Sequence, residues 1–164
     1  MQPDRWRPST TVAAIAERGG RYLLVEEQTQ EGLRLNNPAG HLEPGESLTA
    51  AVARETLEET GWHLAPEALV GIYLARFVRP LSDEDVTYLR FAFCGALEGP
   101  DPSHRPDPGI VAVHWLTLAE VRASASRHRS PLVLQCIEDH AAGQRHPLSL
   151  LHRSPSLEAP WVMR

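Results

Sequence analysis

The sequence predicts an α/β fold, a single domain in which helices pack on layered β-structure. Three observations carry this. Apolar runs of strand length recur along the chain. Helix-start and helix-stop signals interrupt them at three places. No repeat and no Pro/Gly/Ser-rich linker divides the 164 residues, a length suited to one domain, and 42% hydrophobic content is enough to build its core.

Residues 1–9 are expected to form a polar tail. Residues 10–17 and 21–27 are strand-like, and Arg18-Gly19-Gly20 between them predicts a hairpin. A loop follows, ending at Asn36-Asn37-Pro38-Ala39-Gly40. The pattern then predicts a helix over 47–60, closed by Gly61 as the residue that ends it. Residues 69–78 and 86–97 read as two further strands, joined by the acidic, solvated loop Ser82-Asp83-Glu84-Asp85. A Pro/Asp-rich loop covers 99–109, and 110–116 is another strand. Thr117-Leu118-Ala119-Glu120 is a capping box that opens a short helix. Ser130-Pro131 supplies an N-cap and a first-turn proline for a last helix over 131–142. The domain is expected to span 10–148. A C-terminal tail over 149–164 holds Trp161, which marks part of it as a docking segment.

A formal net charge of −5 excludes a general electrostatic grip on nucleic acid or an anionic membrane. An anionic substrate would have to be held locally, by metal ions or a few arginines. Cys94 and Cys136 form neither a Cys-x-x-Cys pair nor a disulfide framework. With no signal-peptide pattern at the start of the chain and no bilayer-length apolar run, the expected location is the cytoplasm. The expected partner is a small molecule, and the expected assembly a monomer or small homo-oligomer.

The chemistry lies between Gly40 and Trp62. On a helix each residue turns about 100°, so with Glu55 at zero, Glu58 falls about 60° to one side and Glu59 about 40° to the other. Three carboxylates on one face repel each other, and a hard cation that also takes water and phosphate oxygens removes the conflict. The opposite face, Ala50, Ala53 and Leu57, is expected to pack on the sheet. Arg54 is placed to neutralise Glu46, Glu55 or Glu58. Gly40 and Gly45 permit the tight loop before the helix, whose backbone could lend the metal a carbonyl. A lone Glu-Glu pair on a helix is usually a solvated face. The full spacing of Gly40, Glu46, Arg54-Glu55, Glu58-Glu59 and Gly61 is far more specific.

This segment resembles the Nudix box, the signature of the Nudix hydrolases. Gly40, Glu46, Arg54, Glu55, Glu58, Glu59 and Gly61 match it, while Thr56 and Trp62 stand where the family usually has bulky aliphatic residues. Both departures fall at packing positions. The flanking runs Asn37-Pro38-Ala39-Gly40-His41-Leu42-Glu43, Tyr88-Leu89-Arg90-Phe91, Arg129-Ser130-Pro131-Leu132 and Gln144-Arg145-His146-Pro147-Leu148 are similar to those of the NudJ-type Nudix phosphatases. The resemblance implies a Nudix α/β/α sandwich with a mixed sheet. It also implies cleavage of phosphoanhydride bonds in nucleoside tri- and diphosphates and thiamine-type pyrophosphates, releasing orthophosphate.

By the same resemblance Gly40, Glu55, Glu58 and Glu59 are the metal ligands, for Mg²⁺ or alternatively Mn²⁺. One of the glutamates also serves as general base, and which one is open. Arg54 completes the catalytic group, and Gly45, Glu46 and Gly61 are structural. Arg90 is the first candidate for substrate phosphate and Arg34 the second. His41 could touch phosphate, and Tyr88 and Phe91 could stack on a base or a thiamine ring, although core packing is the more ordinary role for Phe91 and Phe93. Of Glu26 and Glu27 at a strand end, a solvated pair is the ordinary reading and an extra ligand the alternative. Two other readings are an ADP-ribose or dinucleoside polyphosphate pyrophosphatase and a non-catalytic nucleotide sensor. Pro80 comes a little late for the proline of the ADP-ribose type. The intact carboxylates, and the lack of room for a DNA-binding domain, weigh against a sensor.

Overall fold

The computed structural model describes residues 5–79 and 81–162. Residues 1–4 of the expected tail, Pro80 and residues 163–164 lie outside the described residues.

The strands form two sheets. β1 (Ser9–Ala14), β5 (Ala39–His41), β6 (His63–Val78), β7 (Asp85–Glu98) and β9 (His146–Pro147) make a mixed sheet in the order β5-β1-β7-β6-β9. Its one parallel pair is β1 with β7. In the second sheet β3 (Arg21–Thr29) pairs antiparallel with β2 (Glu17–Arg18), β4 (Gly32–Asn36) and β8 (Ile110–Thr117). Helix α1 (Leu48–Thr60) covers one face of the mixed sheet, and α2 (Leu118–Ala123) and α3 (Leu132–Ala141) pack on the other side. The period of two along a strand sets this sandwich up. Phe93 points to α1 with Val12, Ala14 and Leu69, while its neighbours Ala92 and Cys94 join Val133, Cys136 and Ile137 of α3. The fold is therefore the α/β/α sandwich with a mixed sheet. Among the described residues no helix is long and apolar enough to cross a membrane.

Several expected elements are redrawn. The hairpin over 10–27 survives only where β2 meets β3. β1 ends at Ala14 and belongs to the other sheet, and buried Ile15 and Ala16 carry the chain across. Alternation alone cannot say which neighbour a strand chooses. The expected loop before Gly40 contains β4 and β5, both too short to show a period. β6 starts at His63, and bulges at Pro66/Ala68 and Leu69/Gly71 let it pass through a proline.

The α1 face that packs is not Ala50, Ala53 and Leu57 but Ala51, Val52, Thr56 and Thr60. Thr56 is fully buried, with its hydroxyl donating to the Val52 carbonyl at 2.7 Å. Trp62 is buried too, edge-on to Trp115. Both family departures thus sit at packing positions, as expected. The capping box at Thr117 and Glu120 is present. Pro131 rather than Ser130 is the cap residue of α3, and Ser130 contributes its carbonyl, which accepts from the Val133 amide. Within the tail Leu151 packs on the core beside Leu148 at the domain's end, whereas Trp161 is 82% exposed.

Phe93 is fully buried under α1. Phe93→Ala is expected to cost about 3–5 kcal/mol of unfolding free energy in chemical denaturation. A loss below about 1 kcal/mol would contradict this account of the core.

Candidate active site

The site begins with how α1 is seated. Ser47 caps it, its hydroxyl accepting from the Ala50 amide at 3.2 Å. Gly61 closes it at φ 75°, and its amide donates to the Leu57 carbonyl. The packed residues centre about 60° from Glu55 on the helix wheel. Glu59 lies inside that buried face, Glu55 at its edge and Glu58 outside it. The side chains follow this order: Glu59 is 8% exposed, and the Glu55 and Glu58 side chains are 12% and 41% exposed.

The loop from Gly40 to Ser47 is tied to the helix by Arg54. Its Nε and Nη2 donate to Glu46 at 3.1 and 2.7 Å, and its Nη1 donates to Glu55 at 2.9 Å and to Glu58 at 3.0 Å. Nη2 also donates to the His41 carbonyl at 3.1 Å. This bidentate contact holds the Glu46 carboxyl below the usual range, and the same carboxylates push the Arg54 pKa up. Gly45 turns the loop at φ 85°. Gly40 is required for space: a Cβ there would stand 2.0 Å from the Glu55 carboxyl carbon.

The expected trio of converging carboxylates is therefore split. Arg54 Nη1 stands between Glu55 and Glu58, and Glu59 reaches instead to the Ala39 amide, accepting at 2.9 Å. Among the described residues no three His, Cys, Asp or Glu side chains form a ready metal group. The donor set still fits a hard cation. Burial, then the charges of Glu27, Glu55 and Asp107, push the Glu59 pKa up to about 8. Burial raises Glu55 as well, against the opposing pull of Arg54. A divalent ion would relieve both.

Beside the Ala39–Gly40 edge opens a cleft of about 840 Å³. Strands of both sheets and the residues before α3 line it. Gly40, His41, Arg34, Tyr88 and Arg90 are all at its wall. His41 Nε2 is 2.9 Å from the Ser9 hydroxyl. Phe91 is absent from the wall. It sits one residue from Arg90 and so points to the opposite face, where it packs with Phe93 under α1. Its stacking role is withdrawn, and the core role holds for both rings.

Glu27 faces the cleft, accepting from Asn36 Nδ2 at 3.3 Å with Arg129 Nε 3.6 Å away, so the solvated-pair reading fails for it. Glu26 is instead paired with His114 and Arg127. Sequence reasoning missed Arg79, Arg129 and Phe77 at the wall, and Asp107 beside the glutamates. Asp107 lies in a loop, its amide donating to the Glu58 carbonyl at 3.2 Å, and no local pattern marks it.

Residues 5–136 match the model of the NUDIX domain. The chain is 36% identical over 146 residues to the protein named Phosphatase NudJ from Escherichia coli strain K12, covering 89% of this chain and 92% of that one. The Phosphatase NudJ of Shigella flexneri matches to the same extent. A solved structure, a NUDIX hydrolase from Nitrosomonas europaea, is 48% identical with a TM-score of 0.82 over 90% of this chain and 98% of that one. A MutT NUDIX hydrolase from Burkholderia pseudomallei shares the fold at 20% identity, with a TM-score of 0.63 over 82% of this chain and 98% of that one.

Because Glu59 is raised from 4.5 to about 8 on folding, the native state binds more protons than the unfolded state between those values. In metal-free protein this contribution to stability is present below about pH 4.5 and is lost as pH rises toward 8. Glu59→Gln removes it. In chelator, the variant is expected to gain stability over the parent as pH rises from 5 to 8. Parallel melting curves across that range would contradict the assignment.

Proposed function

The chain belongs to the Nudix hydrolases, enzymes acting on phosphoanhydrides, and from that premise we propose that it is a Mg²⁺-dependent phosphatase of the NudJ type. The proposed substrates are nucleoside tri- and diphosphates and thiamine-type pyrophosphates, with orthophosphate as product. One observation carries this reading. Raised, buried carboxylates abut the Ala39–Gly40 edge of a cleft lined by Arg34, Arg79, Arg90 and Arg129.

In the proposed arrangement Glu55, Glu58 and Glu59 hold the cation, with the Gly40 carbonyl as a further donor. When bound, Mg²⁺ supplies neutralisation of phosphate oxygens and a lowered pKa for water. Arg54 positions Glu55 and Glu58 through its Nη1 and anchors the loop through Glu46. Half-exposed Arg34 and exposed Arg129 at the rim suit the charged phosphate tail, and His41 lies at the same edge. Tyr88 offers a ring face inside the cleft.

Glu58→Gln and Glu59→Gln are each expected to lower kcat at least about a hundredfold, the scale of losing one transition-state contact, with the fold kept. Near-normal turnover in both would rule out the ligand set. A panel of nucleoside triphosphate, nucleoside diphosphate and thiamine pyrophosphate in Mg²⁺ is expected to yield orthophosphate from each. Pyrophosphate from the triphosphate, or AMP and a sugar phosphate from ADP-ribose, would overturn the phosphatase assignment.

A further inference from the structure

β6 is the outer strand of the mixed sheet for half of its length. β9 pairs with it only at Ala68 and Leu69, and among the described residues no other strand pairs on that side. From Gly71 to Val78 the outer edge is therefore open. The inner edge pairs with β7 over the same stretch without a bulge, from Gly71 with Ala92 to Val78 with Asp85. An open edge is a template for another strand, and proteins usually defend it with a proline, a bulge or charge. Gly71 to Val78 has no proline and no bulge. Ile72, Leu74, Arg76 and Val78 alternate onto one face. The three apolar members are 56%, 70% and 61% exposed. The one charge, Arg76, is already paired with Asp85 of the same hairpin.

A second copy of the chain fits this edge. Opposed residues in an antiparallel pair share a face, so a two-fold axis must pass through a residue and not between two. An axis at Arg76 would bring two guanidinium groups together. An axis at Leu74 would set Val78 against Val70, the extra residue of the Leu69/Gly71 bulge. An axis at Ala75 uses only the regular stretch. Ile72 then faces Val78 of the second copy, and Leu74 faces its Arg76. On the other face Tyr73 meets Phe77, and Ala75 meets its own counterpart. No like charges oppose each other in this register. A strand pair of this length with these side chains buries on the order of 1,000 Å² in total, the lower bound for a specific interface. Two identical edges joined about a two-fold leave none for a third copy, so association stops at the dimer.

We propose that the open edge of β6 is a homodimer interface, in which two copies pair antiparallel about Ala75 and join their five-stranded sheets into one. The pairing sets Gly71 to Tyr73 of the second copy beside Phe77, Val78 and Arg79, which line the cleft. Each copy thus braces one wall of the other's cleft. The inference does not depend on which phosphoanhydride is cut.

The test is sedimentation equilibrium of the full chain from about 1 μM to about 1 mM, a range suited to a small interface. Leu74→Lys places an ammonium opposite Arg76 of the second copy, twice by symmetry. Leu74→Glu places a carboxylate there. Leu74 is mostly exposed, so both variants are expected to melt like the parent. Wild type is expected to pass from monomer to dimer and no further. Leu74→Lys is expected to weaken the dimer about tenfold more than Leu74→Glu, because like charges oppose in one and opposite charges in the other. A wild type that stays monomeric, or that grows past the dimer, would overturn the proposal. So would a dimer that the two variants weaken equally, since an unspecific apolar contact does not read charge. A dimer that neither variant weakens would lie elsewhere on the molecule and would overturn it too.

Discussion

Glu59 is a carboxylate buried beside three others. Its one short contact, from the Ala39 amide, does not offset the loss of water and the nearness of Glu27, Glu55 and Asp107. The surrounding structure answers this constraint. The Ala39 amide can reach Glu59 because β5 pairs with β1 directly over the start of the box. Gly40 must be bare for Glu55 to close against it. Arg54 gathers Glu46, Glu55 and Glu58 and fastens the loop to the helix, yet none of these contacts goes to Glu59. That leaves Glu59 as the least neutralised member of the set and the group with most to gain from a cation.

The two sheets turn this local conflict into a usable site. The mixed sheet supplies Thr11, Tyr88 and Arg90, and the antiparallel sheet supplies Glu27, Arg34 and Asn36. Their side chains meet across one cleft beside the glutamates. Charge is graded along it. Carboxylates lie at the Ala39–Gly40 edge, buried polar side chains such as Thr11, Asn36 and Arg90 line the interior, and half-exposed Arg34 and exposed Arg129 stand at the rim.

The box was legible because its residues are spaced by one helix and one tight loop, so local geometry decides their placement. The identity of the packed face was not. Treating the carboxylates as an outward face put Ala50, Ala53 and Leu57 against the sheet, whereas the helix sinks Glu59 among Ala51, Val52 and Thr56. Thr56 gave no apolar signal, since its hydroxyl is satisfied inside the helix itself. Period-two reasoning correctly put Phe91 and Phe93 on one face, and that same rule sets Arg90 and Tyr88 on the other. The rest of the wall comes from contacts distant in sequence. Arg129 meets Glu27, and Arg79 Nη2 donates to the Tyr88 hydroxyl at 2.7 Å, pairs that no spacing announces. β4 and β5 were missed for a related reason, being short strands defined by their partners rather than by their own pattern.

The central proposal is that buried Glu59, its pKa raised to about 8, gives up its proton to a divalent cation. It is tested most directly by calorimetric titration of the protein with Mg²⁺ near pH 7, in buffers of different ionisation enthalpy. With the Glu59 pKa near 8, cation binding must expel a proton, so saturable binding is expected with proton release that is lost in a Glu55→Gln, Glu59→Gln double variant. Binding without proton release, or equal binding by the double variant, would contradict the account.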